Sequence, residues 1–333
     1  MPTGLLPLPE HVRDRRSMLI MMGALGIALG LACAGMAALT AIGALVPGSP
    51  NAPKLPWTLS LWAPLFYLGL AAVFAWLGWG AMRARRWARD LWLVLSASGF
   101  VAGLASLVMM ILILPGMIRG MTAALPAPPG GGPAATTAFV GFAMAVAVGV
   151  MGVFYVLLPG GLWWFYSRPS VRETCRAADP QPSWTEACPL PVLGAALWLW
   201  FAALMMPPSA LMYRGWFPLF GVILPKALGV LAYLAIAAAL VLAGWWLYRR
   251  RMAGWWLAVG SFGLLGTSWW VSLRRLGFAS MFEAMGYPKE MMKLVDAMLP
   301  PETLGTMMNG AFALWGVLLA AALFWIRPQV RAR

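Results

Sequence analysis

The sequence predicts an all-α integral membrane protein of eight transmembrane helices, arranged as two parallel four-helix repeats. Composition is the first ground. Of 333 residues, 62% are hydrophobic and 10% charged, with a mean hydropathy of +0.79, where soluble domains average roughly 45–50% apolar and 25% charged. Spacing is the second. Apolar runs of about 20 residues, enough to cross a bilayer core, recur along the chain, and in hydrocarbon only a helix satisfies its backbone groups within one segment. The third is an internal echo: Arg168-Pro169-Ser170-Val171-Arg172 returns as Arg327-Pro328-Gln329-Val330-Arg331, each after an apolar run that ends in aromatic residues.

Residues 1–17 form a polar segment with Arg13, Arg15 and Arg16, and the first repeat occupies residues 18–166. Its opening run, Met18 to Val46, is too long for a signal-peptide core of roughly 7–15 residues, which predicts a retained helix. A proline-rich outer loop, Pro47 to Trp57, ends it. Segment two, Leu59 to Met82, closes on Arg83, Arg85, Arg86 and Arg89. Segment three, Leu91 to Met117, carries Gly99 and Gly103 at a spacing that lets helix backbones approach. An uncharged Pro, Gly and Ala loop leads to segment four, Ala138 to Tyr166, in which Pro159, Gly160 and Gly161 predict a hinge.

A polar linker, residues 167–191, joins the repeats. The second repeat, residues 192–326, comprises Val192 to Met212, Gly221 to Tyr248, Gly254 to Leu273 and Leu304 to Ile326, with a tail at residues 327–333. Between its last two segments, residues 288–299 place Met291, Leu294, Val295 and Met298 on one helical face, predicting an amphipathic helix at the outer interface. The echo extends inward: Gly78-Trp79 before Arg83 and Arg85 matches Gly244-Trp245 before Arg249 and Arg251 at a constant offset. An even number of spans per copy leaves both copies facing the same way.

The net charge of +14 is distributed as short arginine clusters between apolar runs, which points to topology and not to nucleic acid. With the N-terminus inside, sixteen of the 24 basic residues fall on the inner side and eight outside, so both termini are expected in the cytoplasm and the protein in a cell inner membrane.

The linker gathers the candidate interaction residues Arg168, Pro169, Arg172, Cys175, Asp179, Trp184 and Cys188, matched at the C-terminus by Arg327, Pro328 and Arg331. A structural zinc site wants four Cys or His ligands in close pairs. Cys175 and Cys188 are far apart in sequence and His11 is the one histidine, so no metal or cofactor is expected, and the linker reads as a strap joining the halves. Asp90 reads as a partner for Arg86 and Arg89, and no segment carries an ionisable group near its middle, which disfavours ion-coupled transport. Hydroxyls on segments three and seven, with Gly260, Gly263 and Gly266, suggest tightly packed inner helices.

A catalytic constellation is not evident, so the leading expectation is a non-enzymatic protein that binds membrane lipid or another membrane protein. An uncoupled transporter of a small apolar solute is the alternative. Copper handling by the outer methionines is a third reading.

Overall fold

A computed structural model describes residues 14–45, 57–124, 133–277, 280, 281, 283 and 301–331. The amphipathic helix expected over residues 288–299 lies outside them. The first half contains α1 (Arg16–Leu45), α2 (Trp57–Met82), α3 (Arg86–Ala124), α4 (Pro133–Gly152) and α5 (Leu158–Ser167), with α4 and α5 continuous through a wide π-type turn at Val153–Leu157. The linker folds as α6 (Pro169–Ala178) and a single 3-10 turn at Trp184–Ala187. The second half contains α7 (Leu190–Met212), a hairpin of β1 (Phe217–Leu219) and β2 (Val222–Leu224), α8 (Lys226–Tyr248), α9 (Met252–Leu276) and α10 (Pro301–Arg331).

Seven stretches are long and apolar enough to cross a membrane: Arg16–Gly43, Leu61–Met82, Arg86–Thr122, Ala135–Ser167, Leu190–Met212, Lys226–Tyr248 and Met307–Arg331. Their outward faces are apolar, as at Leu65, Phe139, Phe142 and Leu231, a surface suited to acyl chains. The seventh expected segment, Gly254–Leu273, is helical within α9. Trp255, Trp256, Trp269, Trp270 and three serines nevertheless leave it more polar than the other spans.

Two apolar cores form, one in each half. Leu19, Leu77, Trp92, Phe165, Tyr166 and Val171 belong to the first, and Val192, Leu193, Leu240, Leu247, Ile326 and Val330 to the second. In the first half α1 and α2 approach to backbone contact: a Cβ at Gly78 would stand 2.6 Å from the Gly23 carbonyl oxygen and 2.8 Å from the Ile27 nitrogen. Gly244 plays the corresponding part in α8, where a Cβ would stand 2.5 Å from Trp200 Nε1.

The turns that follow α2 and α8 have the same geometry. Ala84 and Arg250 both adopt left-handed backbone, φ 52° and 55°. The amides of Arg83, Ala84 and Arg85 bond to the carbonyls of Trp79, Ala81 and Gly80, and those of Arg249, Arg250 and Arg251 bond in the same pattern to Trp245, Leu247 and Trp246. Arg83 lies over the Trp79 ring and Arg249 over the Trp245 ring, each 4.4 Å from the centroid.

Pro159–Gly161, where a kink is expected, lie inside α5, and the irregularity of this helix is the wide turn Val153–Leu157 just before them. Proline lacks an N–H and its ring opposes the carbonyl four residues back, which here is Tyr155. That freed carbonyl packs on α3 at Gly103, where a Cβ would collide with it, while a Cβ at Gly99 would sit in ordinary contact, 3.5 Å from Pro159. The two glycines of α3 therefore seat the irregular turn.

Segment six does not begin at Gly221. Residues Phe217–Leu224 form the hairpin, with Phe220 and Gly221 at positive φ (49° and 89°) in its two-residue loop, the backbone that a type I′ turn requires. Ser268 accepts from the Phe220 amide (3.1 Å) and donates to the Pro218 carbonyl (2.9 Å), and Ser272 accepts from the Gly221 amide (2.8 Å). These hydroxyls of segment seven hold a hairpin. Gly260, Gly263 and Gly266 mark no tight contact among the described residues, where a Cβ at any of them would meet nothing within 4 Å.

Candidate functional site

The arginine-rich helix ends converge on the linker. The Arg15 amide donates to Thr174 Oγ1 of α6 (3.2 Å), Tyr248 Oη at the end of α8 donates to the Trp184 carbonyl (2.9 Å), and Arg250 donates to the Gln329 carbonyl of α10 (3.2 Å). Helix α6 is short and amphipathic, and buries Val171, Thr174 and Cys175 against the first half. Proline at its first position and extended backbone at Arg168 (ψ 136°) start it where the linker must turn away from α5.

Three ion pairs anchored on the foot of α3 and the turn before it define this region. Arg85 Nη1 reaches Asp179 Oδ1 at 3.3 Å, Arg86 Nη1 reaches Glu186 Oε2 at 3.3 Å, and Arg89 Nη1 reaches Asp90 Oδ1 at 3.0 Å. The third is the most enclosed, with side-chain exposures of 11% and 8%. Asp90 is further held by Thr185, which donates to Oδ2 at 2.7 Å. Because Thr185 has a single proton to give, Ser183 is the donor in the Ser183–Thr185 hydroxyl contact. A bridge between the halves runs deeper, where Trp198 Nε1 of α7 donates to Ser98 Oγ of α3 (2.8 Å).

These elements enclose a cavity of about 470 Å³ at the seam, within the size range of small-ligand sites, roughly 300–1,000 Å³. Arg86, Arg89 and Asp90 line it from α3, Arg172, Cys175 and Arg176 from α6, Thr185 and Glu186 from the 3-10 turn, and Cys188 to Leu190 from the start of α7. Four arginines face two carboxylates, a formal surplus of two positive charges (4 − 2). Both carboxylates are already paired. The Nε–H groups of Arg86 and Arg89 are buried and meet no acceptor among the described residues.

Of the linker residues singled out in the sequence, Arg172, Cys175 and Cys188 come together in this wall. Asp179 lies outside it as the partner of Arg85, and Trp184 contributes its carbonyl while its ring is exposed. Arg168 stacks over Trp164, 3.6 Å from the centroid, and Pro169 opens α6. Arg327 faces the Trp255 ring of α9 at 5.2 Å, Pro328 lies inside α10, and Arg331 ends it, exposed. The C-terminal copy of the motif is therefore away from the cavity. Arg86, Arg89, Asp90, Arg176, Thr185, Glu186, Pro189 and Leu190 are wall residues that sequence reasoning did not assign to a site. The polar cluster Ser183-Trp184-Thr185-Glu186 beside an apolar boundary was the available signal.

Cys175 and Cys188 are free thiols. Burial pushes Cys175 up to about 12 and Cys188 up to about 11, against the nearby guanidinium charge that opposes the shift in each case. Both are protonated at neutral pH and present little thiolate for metal binding or disulfide exchange. Among the described residues, no group of three or more His, Cys, Asp or Glu side chains is placed to hold a metal ion.

The helices define a multi-pass α-helical membrane protein. No protein-family model matches the chain, and comparison with curated proteins and with solved structures gives no match.

Proposed function

We propose that the chain is a non-enzymatic binding protein of the cell inner membrane that engages membrane lipid at the seam between its two halves. The observation that carries this reading is the position of the cavity. Its walls come from the first half, the linker and the start of the second half, at the level where helix ends, arginines and tryptophans meet headgroups. Apolar helix flanks adjoin it, so a lipid could leave its chains in the bilayer while its polar end enters the wall.

The proposal includes eight crossings in two parallel repeats, with both termini in the cytoplasm. Parity supports eight. Arg15 at the start of α1 and Gln329 near the end of α10 both bond at the linker end of the bundle, which favours an even number of crossings. Helix α9 supplies the eighth, since it leaves the Arg249–Arg251 turn at that end and reaches the hairpin beyond the opposite ends of α7 and α8. Its 25 residues rise about 37 Å at 1.5 Å each. The matching arginine turns support the repeat, and the sixteen-to-eight charge split supports the orientation.

Mass spectrometry of lipids co-purifying in native lipid particles tests the binding role. A defined lipid enriched over the bulk membrane is expected, and a co-purifying population identical to bulk overturns the reading. A reporter fused after Arg333 should give a cytoplasmic signal, and an external one refutes the topology.

A further inference from the structure

We infer that the seam cavity is a binding site for a phosphate-type oxyanion, held by the positive charge of the arginines that line it, with Arg86 and Arg89 fixed in the wall and Arg172 exposed at its mouth. The inference rests on the reading that this end of the chain binds and does not catalyse. It adds the chemistry of the group that is held.

Charge comes first. Both carboxylates in the wall are consumed, Asp90 by Arg89 and Thr185, and Glu186 by Arg86. Arg176 is paired with Glu173 at 3.5 Å. Arg172 has no carboxylate partner among the described residues, so once Glu173 is counted one positive charge is left over in the wall (4 − 3). Like charges gathered around an empty space repel, and an anion removes that cost.

Geometry comes second. Arg86 donates from Nη1 to Glu186 and from Nη2 to the Pro180 carbonyl, and Arg89 donates from Nη1 to Asp90, which fixes the plane of each guanidinium in the wall. Each keeps a buried Nε–H that meets no acceptor among the described residues, an arrangement that leaves local positive charge uncompensated. Guanidinium forks match the spacing of oxygens on a tetrahedral phosphate and bind it in pairs. Three such groups, two fixed in the wall and one exposed at the mouth, suit an anion with several equivalent oxygens better than a carboxylate with two. The remaining wall, Cys188 to Leu190 and Cys175, is apolar or weakly polar and offers a phosphate no competing acceptor.

The test uses the full chain, delipidated in maltoside micelles, which carry no phosphate. Its unfolding is followed by intrinsic tryptophan fluorescence with inorganic phosphate, with acetate at matched ionic strength, and with phosphatidylglycerol. Bound phospholipid is counted by native mass spectrometry. Two variants accompany the wild type: R172Q, which removes an exposed unpaired charge, and R86Q/E186Q, which removes both members of an ion pair and strands neither. The expected result is saturable stabilisation by phosphate or by phosphatidylglycerol but not by acetate, with affinity reduced about tenfold in each variant.

Stabilisation by inorganic phosphate identifies a free anion as the source and leaves the lipid reading unsupported. Stabilisation by phosphatidylglycerol alone identifies a headgroup. Lipid that co-purifies equally with wild type and R172Q, acetate as effective as phosphate, or no saturable response to either phosphate source overturns the inference. The first of these outcomes leaves the lipid-binding reading standing.

Discussion

Replacing Gly103 by alanine separates a contact made by backbone from one made by side chains. At Gly103 the added Cβ collides with the carbonyl of Tyr155, a backbone group held in the wide turn that precedes Pro159. Overpacking costs typically 1–3 kcal/mol, and a backbone obstacle places this case toward the upper end. The helix-propensity gain of Ala over Gly, about 1 kcal/mol, offsets part of it, so G103A should lose about 1–2 kcal/mol. At Gly99 the same Cβ lies 3.5 and 3.6 Å from Pro159, ordinary contact, and at Gly149 it meets nothing within 4 Å. Both substitutions should therefore be neutral or stabilising by up to about 1 kcal/mol. P159A restores an N–H for the Tyr155 carbonyl, so G103A/P159A should recover at least about 0.5 kcal/mol relative to the sum of the single changes. Unfolding in mixed micelles of increasing SDS fraction, read by tryptophan fluorescence, ranks the set. If G103A is as stable as G99A, or no coupling to Pro159 appears, the account of the wide turn is wrong.

Thr185→Val keeps the shape and removes a donor to the buried, arginine-paired Asp90, at an expected cost of about 1–3 kcal/mol; an unchanged unfolding midpoint would remove this contact from the list of seam determinants. D179N, by contrast, touches an ion pair whose arginine is 46% exposed, and should change stability by less than about 1 kcal/mol in the same assay. The thiols give a pH signature. Folded Cys175 and Cys188 hold their protons to about 12 and 11, against 9.0 for an unperturbed thiol. Their contribution to stability is complete below pH 9 and lost as pH rises through the folded values. Alkylation should be slow at neutral pH and still accelerating at pH 10, and a plateau below pH 9 would contradict their burial.

The helices were legible because apolar runs in a membrane leave the backbone little choice, and the arginine turns were legible because tryptophan and arginine mark helix ends. Local sequence could pair Asp90 with Arg89, its neighbour. It could not announce that Thr185, 95 positions away, supplies the second bond, since only the packing of α6 and the 3-10 turn onto the foot of α3 brings them together. The hairpin was hidden by its apolarity: Gly221 to Leu224 reads as the start of a helix until Pro218, Gly221 and Pro225 are taken as punctuation. Gly260, Gly263 and Gly266 misled in the opposite way, because a small-residue spacing permits close approach but does not supply the helix that makes it.

The repeated Arg-Pro-x-Val-Arg motif shows how far equal sequence fixes equal structure. In the first copy Arg168 is extended, as a residue before proline prefers, and Pro169 starts α6 where a missing N–H costs nothing. In the second copy α10 runs through Arg327 and Pro328 without a break, so the proline deletes a helical hydrogen bond. The common element is the valine: Val171 and Val330 are both buried, at 0% and 2% exposure, each in the core of its own half. The proline substitutions should then move stability in opposite directions. P169A frees a pre-set turn and should cost about 0.5 kcal/mol. P328A restores a helical bond near a helix end and should gain about 1 kcal/mol, less than the interior penalty of about 3 kcal/mol because the last turn frays. Shifts of the same sign in SDS unfolding would mean that the two copies share a backbone role. Opposite shifts would mean that the motif's constant role is to anchor each exit by its valine, while the break that makes room for the linker, and with it the cavity, belongs to the first copy alone.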